Sequence, residues 1–220
     1  MAWNFDGGDA AWLENVGAVT LPDGDWAMGG LIKFSTRVGT LRRYIIKGGS
    51  GYTSSFFVRI GDDGGPDADD VNIAFLDDDG TVINASSTGN PFASNTSWTH
   101  LLLQRSGTTI TVYVNGSSVA SVSNASFDAL APNDWIQFGN EQYFSNGFRG
   151  DLAEWAKWDR TLSSAEIAGL VQGYAPSCYP NSLMWYVPMI RDYNEIRNGI
   201  EVDNDGSTVT EHPRMIYCGD

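Results

Sequence analysis

The sequence predicts an all-β protein, a two-sheet antiparallel β-sandwich carrying one short helix near 163–172, and three observations predict it. Apolar residues recur with a period of two through most of the chain, the signature of strands that bury one face. Turn signals divide these runs at short intervals, chief among them Asn115-Gly116 and Asp77-Asp78-Asp79-Gly80. Asn-Gly and Asp-Gly suit the positive φ that tight hairpins require. Only the stretch from Ser163 to Gly173 carries convincing helical spacing. Many short strands separated by close turns pack most readily as two sheets.

Taken in order, Trp26, Met28, Ile32 and Phe34 share one parity with Gly30 between them, a strand over 25–35. β-rich runs follow at 41–47 and 55–60, the second leading into an acidic, glycine-rich loop at 61–70. The segments 71–76 and 81–84 form a hairpin around the Asp-Gly turn, and 98–105 and 109–114 another around Ser106-Gly107-Thr108. Val119 and Val122 continue beyond Asn115-Gly116, and 135–138 and 152–158 complete the run. Ser163-Ser164-Ala165-Glu166 has capping-box spacing, in which the hydroxyl serves a first-turn amide and the carboxylate reaches back. Ile167, Leu170 and Val171 then fall on one face, and Gly173 ends the helix. Strand-like stretches return at 183–187 and 208–217, while Asp203-Asn204-Asp205-Gly206 reads as a turn. No linker or fixed repeat divides the chain, so residues 1–175 form one domain and 176–220 a strand extension packed on the same sandwich.

With 27 acidic and 13 basic residues among 220, the formal charge is −14. Nucleic acid needs a basic face and an anionic membrane a basic patch, so neither partner is expected. Eight Trp, nine Tyr and ten Phe exceed what a disordered chain carries, and a chain of this length buries roughly 70% of its unfolded surface. No apolar run reaches the ~18 residues of a membrane span. The opening Met1-Ala2-Trp3-Asn4-Phe5-Asp6 has neither a basic nor an apolar leader region, which favours a protein left in the cytoplasm or carried out within a larger assembly. Cys178 and Cys218 are the only cysteines. They either bridge and tie down the C-terminal segment or stay free, and a reducing compartment favours two buried thiols.

Five segments in order resemble the laminin-G-like, or concanavalin A-like, jelly-roll domains: FDGGDAAWLE (5–14), GDWAMGGLIKF (24–34), IIKGGS (45–50), SWTHLLLQRSGTTITVYVNG (97–116) and FRGDLAEWAKWDRTLSSAEIAGL (148–170). The helix junction, the Gly-Tyr-x-Pro step at 173–176 and the segment Glu211-His212-Pro213-Arg214-Met215-Ile216-Tyr217 further resemble tailed-bacteriophage particle proteins of this fold. That resemblance implies a non-catalytic virion protein, a capsid decoration, fibre or tail accessory assembled in the host cytoplasm, homo-oligomeric and partnered by major capsid or tail proteins. The alternative it implies is a carbohydrate-binding adhesion module.

Some relatives of this fold are β-glucanases, whose acids alternate along one strand. None of the seven Glu here begins such an alternation, and Asp151 and Glu154, three apart, face opposite sides of a regular strand. No nucleophile elbow, phosphate loop or zinc spacing is present. His100, inside a strand beside Trp98, and His212, before Pro213, are read as structural. No cofactor is required; the resemblance implies a structural calcium ion through Asp6 or Asp9 and Glu154, weakened because Ala153 stands where a further carboxylate is expected. The acidic loop with Asp62, Asp63, Asp67, Asp69 and Asp70 lacks the spacing of a calcium loop and is read as solvated. For sugars, the segment 139–149 offers Glu141, Gln142, Tyr143 and Asn146 beside Phe144. Trp12, Tyr52 and Phe56 are read as core or interface aromatics.

Overall fold

A computed structural model describes residues 2–6, 10–14, 24–34, 43–50, 53–61, 70–76, 82–87, 91–92, 97–125, 135–139, 148–190, 196, 199 and 202–218. Their strands are β1 (Ala2–Asp6), β2 (Ala10–Glu14), β3 (Trp26–Phe34), β4 (Arg43–Ser50), β5 (Thr53–Ile60), β6 (Val71–Leu76), β7 (Val82–Ser86), β8 (Thr99–Ser106), β9 (Thr109–Val114) and β10 (Ser117–Ser123). There follow β11 (Trp135–Phe138), β12 (Arg149–Trp158), the helix α1 (Ser164–Val171), β13 (Leu183–Val187), β14 (Val202–Asp205) and β15 (Thr208–Thr210). One sheet runs β10-β9-β8-β3-β12-β1-β15 with β13 beside the second half of β12; the other runs β14-β2-β11-β4-β5-β6-β7. All the named strand pairs are antiparallel. The fold is the jelly-roll sandwich expected from the sequence.

The interior between the sheets is aromatic. Trp3, Trp26, Phe56, Phe75, Phe138, Trp155 and Trp185 are at most 1% exposed, with Phe56 stacked on Phe75 and Phe138 tilted against Trp155 at 5.7 Å. Gly30 makes room for this packing: a Cβ there would stand 2.6 Å from the Trp155 ring, well inside contact distance. The parity read over 25–35 holds, since Trp26, Met28 and Ile32 face this core while Ala27 and Leu31 face outward. Both turn residues of Asn115-Gly116 have positive φ, 47° and 79°, as an Asn-Gly hairpin requires.

The helix starts as its capping box predicts. The Ser163 hydroxyl accepts from Glu166 N, and the Glu166 carboxylate accepts from Ser163 N at 2.8 Å. Arg160 clamps that carboxylate, holding its pKa down at about 2. Gly173 follows the helix with φ 93°, the left-handed step that ends many helices. α1 lies on the outer face of the larger sheet, where Ile167 and Leu170 pack with Leu102, Trp158 and Tyr186.

Three expectations need correction. Cys178 and Cys218 are not free thiols: they form a disulfide with Cα atoms 5.1 Å apart. The segment 203–206 is not only a turn, because 203–205 continue β14, paired with β2 from Val202↔Leu13 to Asp205↔Ala10, before Gly206 turns the chain. A neighbouring strand supplies the ladder that Asp and Asn propensity disfavours. The third concerns 208–217, where only Thr208–Thr210 is a strand. The rest forms no further strand among the described residues, and its backbone pairs with the body at one isolated parallel bridge, Tyr174↔Ile216.

Candidate functional site

The outer face of the larger sheet holds the candidate site, and strand alternation decides which residues reach it. On β8, Leu101 and Leu103 point into the sandwich while His100, Leu102 and Gln104 point out. On β9, Ile110, Val112 and Val114 point in and Tyr113 points out. Between these strands and α1 runs a groove of about 620 Å³, within the ~300–1,000 Å³ typical of small-molecule sites. Tyr113, Leu162 and Ile167 supply apolar wall, and Gln104, Asn115, Ser117 and Ser164 supply amides and hydroxyls. None of its lining residues is charged.

Two of those amides are fixed in advance. Gln104 Oε1 accepts from Leu162 N at 2.7 Å, where the chain enters the helix. Asn115 Oδ1 accepts from His100 N at 2.9 Å, and Asn115 N donates to His100 O at 2.9 Å. Each carboxamide is thus held through its oxygen, and its nitrogen remains a donor with no partner among the described residues. Anchored donors beside an aromatic wall bind a hydroxylated ligand at low ordering cost.

His100 is 5% exposed, and burial lowers its pKa from 6.5 to about 4. The folded protein keeps this ring neutral while the unfolded chain protonates it below about 6.5. Its stabilising contribution is therefore complete above that pH and lost as pH falls toward 4, a drop of about 3 kcal/mol. Thermal melts of the wild type and His100→Gln between pH 7 and pH 4 are expected to lose a steep acid limb in the variant. Parallel limbs would place the acid sensitivity elsewhere.

Farther along the same face, Glu154 forms a second polar cluster. The register of β12 shifts between Ala153 and Ala156, and Glu154 takes φ 59° there. This left-handed position strains a non-glycine residue. The bulge turns Glu154 outward together with Ala153 and Asp151, so Asp151 and Glu154 share a face, contrary to the regular-strand expectation. They do not form a catalytic pair open to substrate. Asp151 is held by Asn4 Nδ2 at 2.7 Å and Lys33 Nζ at 3.4 Å. Glu154 is covered: Tyr186 donates to Oε2, Tyr217 donates to Oε1 at 3.1 Å, and His212 Nε2 lies 2.8 Å from Oε1, off the direction of a hydrogen bond. His212 Nδ1 donates to Pro213 O at 2.8 Å, which fixes the ring. Burial, then the Glu154 charge, raises the pKa of both tyrosines.

The sequence-predicted sites fall as follows. Asp6 is exposed and pairs in register with Arg149, five positions and about 16 Å along β12 from Glu154. With both Glu154 oxygens taken by protein partners, Asp6 and Glu154 do not fit a shared calcium ion. Among the described residues, no group of three His, Cys, Asp or Glu is placed to hold a metal. Asp9 lies outside the described residues, as do Glu141, Gln142, Tyr143 and Asn146, the loop 62–69, Tyr52 and the side chain of Trp12. Phe56 is core. Gln104 and Tyr113 did not stand out in the sequence and Asn115 did so only as a turn residue, because only the packing of α1 turns outward positions of a hairpin into a groove.

Comparison with known proteins agrees with this architecture. A family profile described as the concanavalin A-like lectin/glucanases superfamily matches residues 6–168, whereas no curated protein matches the chain. A candidate carbohydrate-binding protein from Bacteroides ovatus superposes with a TM-score of 0.73 at 17% identity, over 97% of this chain and 60% of its own. The chain therefore spans less than two thirds of that protein. A heptameric SAP-like pentraxin from Limulus polyphemus gives 0.60 at 17% identity, over 96% of this chain and 94% of its own. Domains LG4-5 of the mouse laminin alpha1 chain give 0.51 at 19% identity, over 71% and 40%.

Proposed function

Because the chain belongs to the concanavalin A-like lectin/glucanases superfamily, we propose that it is a non-catalytic carbohydrate-binding module that takes neutral glycan in the groove between α1 and the β8–β9 hairpin. The observation that carries this reading is the lining: two anchored amide donors, hydroxyls and an aromatic wall, with no charge. A sugar presents hydroxyls that accept and donate, and a C–H face that packs on a ring. The non-catalytic part rests on the two carboxylates that β12 presents on the outer face, Asp151 and Glu154, both engaged by protein groups. Binding to immobilised neutral glycans is expected, reduced at least tenfold by Tyr113→Ala and by Ser117→Trp, which fills the groove from an exposed position. Binding that survives both variants would move the site to the sequence-predicted segment 139–149; no binding to any glycan would remove the reading.

A second reading, attachment to a tailed-phage particle as an oligomeric decoration, fibre or tail accessory protein, draws on exposed apolar residues of the C-terminal segment. Ile216 and Tyr217 are 48% and 54% exposed. Quantitative mass spectrometry of purified particles tests it, since absence from them excludes the role.

A further inference from the structure

Resting on the glycan reading, we infer that the groove continues past Asn115 into a second sugar subsite formed by Trp98, His100 and Arg214, so that the ligand is a neutral oligosaccharide rather than a single unit. The two compartments are continuous. Asn115, Val171 and Gln172 line both the larger groove and a smaller cavity of about 160 Å³ toward the C-terminal segment. The smaller one is walled by Trp98 and His100 on the sheet side and by Arg214 and Met215 on the other.

The chemistry of this compartment is incomplete as the chain stands. His100 is 95% buried by its 5% exposure, and its Nδ1 has no hydrogen-bond partner. Nδ1 is itself closed to solvent, whereas Nε2 is not closed off and has no partner among the described residues, so Nε2 is the ring atom left to meet a group that enters the cavity. The ring is neutral, and a neutral imidazole always keeps one nitrogen as an acceptor. Arg214 is exposed and has no ion-pair or hydrogen-bond partner among the described residues. It donates where His100 accepts. Sugar hydroxyls can do both, accepting from the guanidinium and donating to the imidazole; a carboxylate cannot donate. The charge of −14 also disfavours an acidic chain. Asn115 stands at the junction, tied through its backbone and side chain to His100, so the donor shared by both compartments is held by the residue that floors the second.

The test is a titration of the full chain, followed by amide and indole NMR signals, with cellohexaose, laminarihexaose, maltohexaose and mannohexaose and with the matching disaccharides. At least one hexaose is expected to move the Asn115 side-chain amide and the Trp98 indole together, and to bind at least tenfold more tightly than its disaccharide. Arg214→Ala, at an exposed position, and His100→Gln are each expected to weaken the hexaose about tenfold and leave the disaccharide unchanged. If a hexaose and its disaccharide bind equally, with Trp98 unmoved and Arg214→Ala silent, the second subsite is wrong and the glycan reading stands. If no sugar moves Asn115 or Tyr113, both fall.

Discussion

Opening the Cys178–Cys218 disulfide, by reduction or by Cys178→Ser, is expected to lower stability by about 4 kcal/mol. The bond closes a loop with a sequence separation of 40, and in the chain-entropy view a loop of that length restricts the unfolded state by about that amount. At this chain length each kcal/mol moves Tm by about 2–4 °C, so melts with and without reductant are expected to differ by roughly 10 °C. The difference reports on the whole sandwich because the tied segment is woven into it. Ala175 N donates to Ile216 O and Ile216 N to Gly173 O, while β13 and β15 flank β12 and β1. Alkylation of the unreduced, denatured chain is expected to label no cysteine, and two labelled thiols would show the bond to be open. The disulfide also makes stability depend on surroundings. In a reducing compartment the same chain would hold two thiols and a more loosely fastened C-terminal segment.

Local signals in the sequence are reliable here where one element decides the outcome. The 71–76 and 109–114 strands, the Asn115-Gly116 turn and the Ser163–Glu166 box are fixed by neighbours a few residues away, and each forms where it was read. Long-range partners decide the rest. β14 exists because β2 offers a ladder to Asp203, Asn204 and Asp205. The disulfide joins the chain just after α1 to its end, which spacing alone left open. The candidate site was the least legible. Gln104 and Tyr113 are ordinary outward positions of a hairpin, and they become groove residues only because Leu162, Ile167 and Val171 are laid across them. Glu154 shows the same limit from the other side: the bulge that reverses its facing follows from the register of β3 and β13 on β12, which no local pattern encodes.

Glu154→Ala is expected to cost about 3 kcal/mol, and Glu154→Gln about 1. The carboxylate receives donors on both oxygens: Tyr186 on Oε2, Tyr217 on Oε1, with His212 close by. Alanine removes the carboxylate acceptor of the Tyr186 hydroxyl, on a residue only 2% exposed, and leaves it only its weaker contact with the Tyr217 hydroxyl; losing a charged acceptor at so buried a group costs about 1–3 kcal/mol. Loss of the two contacts that hold 212–217 adds to it. Glutamine keeps the shape and one acceptor, and a phenol can turn to accept from the new amide. Glu154→Gly separates the two terms: it removes the same acceptor but relieves φ 59°, so it is expected to cost about 1 kcal/mol less than alanine. Denaturant melts of the three variants give that order. The disulfide and Glu154 hold the same C-terminal segment, one at Cys218 and the other at His212 and Tyr217, so their effects should not add. Once the bond is open, that segment can leave and carry His212 and Tyr217 into water, and Glu154→Ala then removes less. A double-mutant cycle with Cys178→Ser is expected to show a coupling of about 1 kcal/mol or more. Strictly additive costs would mean that the two fastenings act on segments that unfold separately, and that the sandwich can release its C-terminal end at one point while holding it at the other.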